Sequence, residues 1–162
     1  MEQRKASIDN IFCLSSLIME FTIKIYSNDI AVYRLSDLSG FSFPEDCGFF
    51  NLSVTGDEIS LMCDVGHLSS GYLEWLEQKT TSVSKNWSCL RVDGDLPFDI
   101  VGVIATLTSH IASIGISQFA VCTHDRDYVL VPNTQRHQVI TYLKTVGYHC
   151  IDSGSGKEAE AP

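Results

Sequence analysis

Positive charge is scarce in this chain. Its 162 residues hold 11 Lys and Arg against 20 Asp and Glu, a formal net charge of −9. Nucleic-acid backbones are held by Lys and Arg gathered on one face, so nucleic acid is excluded as a principal partner. Long apolar runs are missing as well. No run of 18 apolar residues occurs, so no membrane-spanning helix and no membrane partner is expected. There is no Cys-x-x-Cys pair, no Walker-type loop and no G-x-G-x-x-G. The five histidines, at 67, 110, 124, 137 and 149, show no ligand spacing, and no cysteine pairs obviously with a His and an acid. No metal, no cofactor and no thiol nucleophile is therefore expected.

What is present suffices for a packed core: 44% of residues are hydrophobic and 10% aromatic. Cys63, Cys89 and Cys122 lie within strand-like runs and read as core thiols of a reducing compartment, which places the chain in the cytoplasm.

The stretch 87–131 carries the strongest pattern. Trp87, Cys89 and Val92 open a strand, and a Gly-Asp-Leu-Pro turn follows. Ile100, Val103, Ile104, Leu107, Ile111 and Ile114 then form a helical stripe, with Asp99 as the expected N-cap and Gly115 as the stop. Strands are predicted over 116–123 and 127–131, with a polar turn at His124 to Arg126 between them. A second amphipathic helix follows over 133–146, capped by Asn133, and then a short strand over 148–151. The order β-α-β-β-α-β is the ferredoxin-like unit.

The first half reads as a weaker copy. Strands are predicted over 21–26 and 30–35, joined by a turn at Ser27-Asn28-Asp29. Strands over 49–54 and 58–63 flank Thr55-Gly56-Asp57, a hairpin signal. A short helix is expected through Tyr72 to Leu76, and Lys79 to Lys85, polar and rich in Ser and Thr, reads as a loop. The fold class is α+β, with two tandem ferredoxin-like units of which the first is degenerate. The expected domains are an N-terminal extension over 1–20, a degenerate unit over 21–86, a complete unit over 87–151, and a disordered tail over 152–162 rich in Gly, Ser, Glu and Ala.

Gly102, Gly115-Ile116-Ser117, Thr123, Asp125, Asp127 and Tyr128-Val129-Leu130-Val131 resemble the pattern of small tandem ACT-domain proteins. These are related to the regulatory halves of aspartate kinases and to CASTOR-type amino-acid sensors. Ala31 to Leu35, Phe49-Phe50 and Asp57 to Ser60 resemble the same family in the first half. The chain departs from the pattern at His110, Cys122, His124 and Arg126. The resemblance implies a regulatory module, without catalysis, that binds an amino acid or related metabolite at a domain interface. It also implies a homodimer or an ACT-containing partner.

The residues expected to hold that ligand are Phe98, Asp99, Ile100, Val101 and Gly102 at the helix entry, Ser117, and Thr123, Asp125 and Asp127 around the strand turn. Free N–H groups and the helix dipole suit an α-carboxylate. Gly102 permits close approach to the backbone. Asp99 or Asp127 suits an α-ammonium, and Ser117 and Thr123 supply hydroxyls. The alternative function is a structural or oligomerisation module with no small-molecule ligand. A third, an enzyme working through His124 and the nearby acids, ranks last.

Overall fold

The computed structural model describes residues 21–94 and 101–151. The expected N-terminal extension and tail lie outside them, as do Phe98, Asp99 and Ile100. Packing divides the chain into two compact units, Ser27–Ser88 and Met1–Tyr26 with Cys89–Pro162. We call them the inner and outer units.

The inner unit takes its strands from β1 (Thr22–Leu35), β2 (Phe50–Val54), β3 (Ile59–Asp64) and β4 (Thr80–Asp93), in the order β2-β3-β1-β4. β1 and β3 pair antiparallel, with Ala31 opposite Cys63. β2 and β3 form the expected hairpin, with Leu52 opposite Leu61. The Thr55 hydroxyl holds the turn by accepting from the N–H groups of Asp57 and Glu58. Helix α1 (Ser70–Lys79) is capped by Ser69, whose hydroxyl accepts from the Tyr72 N–H at 3.3 Å. It lays Tyr72 and Leu76 over Tyr33, Leu61 and Cys63, a core closed to water.

This is a ferredoxin-like arrangement in which irregular chain replaces the helix between β1 and β2. Two clips hold that segment down. The Trp75 indole N–H donates to the Ser39 carbonyl at 3.0 Å, and Lys79 Nζ lies 2.7 Å from Asp37. Lys79 and the Ser39 groups keep the Asp37 carboxyl well below the usual carboxylate range.

The outer unit joins Thr22–Tyr26 of β1 to Cys89–Asp93 of β4, α2 (Val103–Ser113), β5 (Phe119–Cys122), β6 (Asp127–Pro132), α3 (Arg136–Thr145) and β7 (His149–Ile151). From β4 onward the order is β-α-β-β-α-β, and the strands lie as β7-β1-β4-β6-β5. Alternation along the strands sends Ile23, Ile25, Leu90, Val92, Val129 and Val131 to one face. There they pack with Leu107 and Ile111 of α2 and Val139 and Leu143 of α3.

Several expectations need correction. No turn interrupts Ser27-Asn28-Asp29, because β1 runs through it as one strand. Pairing with neighbouring strands outweighs the local turn preference of three residues. The segment expected as a loop at 79–85 is the end of α1 followed by the start of β4. Its Thr80, Thr81 and Val83 are β-branched, which favours extended chain even when exposed. The N-cap of α2 is Gly102, at φ 87°, and not Asp99. Asn133 heads a 3-10 turn, Asn133–Gln135, while Gln135 holds the N-cap of α3. Cys63 and Cys89 are buried as expected, but Cys122 is exposed.

Candidate functional site

In the outer unit, α2 begins without help from a side chain. Gly102 occupies the left-handed region and no side-chain cap bond is made. The Gly102 carbonyl accepts from the Thr106 N–H at 2.9 Å. Among the described residues, the first-turn N–H groups of Val103 and its neighbours have no capping oxygen. Val101, just ahead of them, is 80% exposed.

Thr123, Asp125 and Asp127 come together in the β5–β6 turn. Cys122 stands opposite Asp127 in the ladder. The Thr123 N–H and hydroxyl both donate to the Arg126 carbonyl, each at 2.9 Å. Asp125 Oδ1 lies 2.6 Å from His124 Nδ1. The Asp127 carboxylate opposite Cys122, with partial burial, pushes the thiol up to about 11. Arg126 Nη1 donates to the Asp125 carbonyl at 2.7 Å and to the Gly94 carbonyl at 3.2 Å. The turn is thus tied to the end of β4, from which the chain leaves toward Gly102.

Ser117 does not join this group. It is exposed and precedes β5, whereas Thr123 follows it. Five residues, four of them in β5, lie between the two and set them up to roughly 20 Å apart. Beside Ser117, the Gln118 amide donates to the Thr108 carbonyl at 2.7 Å and fixes the α2–β5 connection.

A second polar group, on the sheet face turned away from the helices, escaped the sequence reading. Arg91 lies over the Tyr26 ring at 5.0 Å, and Tyr26 meets Tyr128 edge to face at 5.9 Å. Asp93 binds Arg91 in a two-pronged contact at 2.5 and 3.1 Å, which holds the guanidinium charge more firmly, and Lys24 lies 3.7 Å from Asp93. The available signal was Arg91 itself, a charge set between the core residues Leu90 and Val92 on one strand. Among the described residues no three His, Cys, Asp or Glu come together as metal ligands. No described helix is long and apolar enough to cross a membrane.

The outer unit is therefore a ferredoxin-like domain with a glycine-led helix N-terminus and a tightly bonded turn between β5 and β6. Residues 82–145 match the ACT domain family, and the match runs from β4 through α3. Solved structures share the fold across both units. The chain is similar to the Agobacterium tumefaciens protein Atu0741, at 23% identity and a TM-score of 0.67, covering 86% of this chain and 98% of that one. It is similar to the aspartate kinase of Clostridium acetobutylicum, described as an allosteric enzyme, at 10% identity and a TM-score of 0.57. There it covers 76% of this chain and spans 34% of the kinase. The ligand-free regulatory subunit of the Thermus thermophilus aspartate kinase gives 11% identity and a TM-score of 0.53, over 78% of this chain and 95% of that one.

Proposed function

We propose that this protein is a non-catalytic regulatory module that binds an amino acid or a related small metabolite through its outer unit. The observation that carries the reading is the N-terminus of α2, led by Gly102 and without a side-chain cap among the described residues, within the stretch that matches the ACT domain. Backbone N–H groups in that state suit a carboxylate. Phe98, Asp99, Ile100 and Val101 precede them, and Asp99 or, in the Thr123–Asp127 turn, Asp127 suits an ammonium. The likeness to an allosteric aspartate kinase and to an aspartate kinase regulatory subunit supports a regulatory role. We place the protein in the cytoplasm, as a homodimer or with an ACT-containing partner, and read the chain as two tandem ACT-type units.

One observation favours the second reading, a structural or oligomerisation module. Within the turn Thr123 already donates to the Arg126 carbonyl, Asp125 lies against His124, and Asp127 stands opposite Cys122. A ligand there has to displace bonds as well as make them.

Thermal unfolding in the presence of each common amino acid separates the two. A ligand at 100 times its Kd adds about 2.7 kcal/mol to stability. At least one amino acid at millimolar concentration is expected to raise the Tm of the wild type and to do so much less for Asp127→Asn. No shift from any of them favours the structural module.

A further inference from the structure

The inner unit exposes an aromatic patch beside an open strand edge. Phe43 is 73% exposed, yet its ring meets Phe41 edge to face at 5.1 Å and Phe50 at 6.0 Å. Phe41 in turn leans on Trp75 of α1 at 5.8 Å, and the Trp75 indole is tied to the Ser39 carbonyl. The rings are thus held in place with the outermost one facing water. A contiguous apolar group left exposed in this way marks a contact surface.

Phe50 joins the patch to the edge. It begins β2, which among the described residues pairs with β3 only. The Asp64 N–H donates to the Phe49 carbonyl and the Thr55 N–H to the Glu58 carbonyl, each at 2.9 Å. Antiparallel bonding to one neighbour recurs at every second residue, so Phe49, Asn51, Ser53 and Thr55 bond toward β3. Phe50, Leu52 and Val54 therefore turn their N–H and C=O groups to the open side. β2 reads Phe-Asn-Leu-Ser-Val, without the charge or proline that commonly blocks an edge. Charge then selects the partner. Glu45 and Asp46 follow Phe43 and Pro44, both are exposed, and neither enters an ion pair among the described residues. The Lys and Arg of this unit are Arg34, Lys79 and Lys85; Arg34 donates to the Asp57 carbonyl and Lys79 pairs with Asp37. A second copy brings the same acids and the same net charge of −9, which opposes self-pairing here.

We propose that the β2 edge takes a basic, extended segment of a partner protein as an added strand. Its backbone bonds Phe50, Leu52 and Val54, its apolar side chains lie against Phe43 and Phe50, and its Lys or Arg pair with Glu45 and Asp46. This surface belongs to the inner unit and goes beyond the ligand reading of the outer unit, so either can fail alone.

The test is NMR titration of the full-length protein with the peptide acetyl-Lys-Arg-Val-Thr-Val-Thr-Val-Arg-Lys-amide. Two control peptides leave the protein unaltered: one carries Glu at every Lys and Arg, and one is N-methylated at its Val and Thr residues. Saturable shifts of the Phe50, Leu52 and Val54 amides and of the Phe43 ring signals are expected with the first peptide. Each control is expected to bind at least about tenfold more weakly. The surface variants Phe43→Ser and Glu45→Gln/Asp46→Asn are expected to keep the spectrum of the folded protein and to weaken binding by about tenfold. The proposal is overturned if the first peptide leaves these signals unmoved at millimolar concentration, or if either control binds as well as it does. Broadening of the same amides with rising protein concentration and no peptide would overturn it in favour of a second copy.

Discussion

Cys122 shows how closely the acidic turn is built. It is exposed, yet its thiol is pushed from the ordinary 9.0 up to about 11, first by the Asp127 carboxylate opposite it and then by partial burial. The reactive species is the thiolate. A higher pKa means less thiolate at a given pH, so at pH 8 the fraction is on the order of one in a thousand, against about one in ten for an unperturbed thiol. Iodoacetamide should therefore label Cys122 slowly at pH 8, and the rate should climb with each pH unit until about 11. Asp127→Asn removes the acceptor charge and should raise the pH 8 rate by about tenfold or more. Peptide mapping by mass spectrometry reads both. Equal labelling of the wild type and the variant would show that the thiol does not face Asp127.

At the scale of elements, α2 illustrates what sequence pattern conveys. The stripe Val103, Ile104, Leu107, Ile111 and Ile114 was legible because a helix buries one face every 3.6 residues, and all five reach the core or pack on it. The stop at Gly115 was legible because φ there is +74°, where a side chain is strained. Nothing stands within 4 Å of an added Cβ at Gly115, so Gly115→Ala isolates the backbone cost. It should destabilise by about 1–2 kcal/mol in urea unfolding, with Gly115→Asn costing less. The β2–β3 hairpin was likewise visible in Thr55-Gly56-Asp57. The continuous β1 was not, because its course at Ser27-Asn28-Asp29 is decided by partners far away in sequence. β4 was missed at Thr80–Lys85 for a related reason: an exposed, polar strand lacks the alternation that marks one. Of the candidate ligand residues, the turn group gathers as the spacing implied. Ser117 stays apart, because a motif gives order along the chain and not which end of a strand a residue occupies.

At the scale of the whole chain, residues 87–151 looked self-sufficient, and their packing shows otherwise. Thr22, Ile23 and Lys24 pair in parallel with His149, Cys150 and Ile151, and β1 lies between β7 and β4. Ile23 and Ile25 sit in the same core as Leu107 and Leu143, with almost no exposure. A fragment of residues 87–162 lacks that strand, leaving the facing edges of β7 and β4 unpaired and the apolar residues that Ile23 and Ile25 cover exposed. It should give a collapsed amide spectrum and no cooperative unfolding, whereas the full chain unfolds cooperatively. A dispersed spectrum from the fragment would mean that the N-terminal strand is dispensable to the outer unit.

The central claim is that the outer unit reads a small carboxylate-bearing metabolite at the entry to α2. Amide chemical-shift mapping of the full-length protein, titrated with an amino acid that raises its Tm, tests it most directly. The expected result is saturable movement of Gly102, Val103 and the Thr123–Asp127 turn, abolished or strongly weakened in Asp127→Asn. Saturation with those amides unmoved would contradict it.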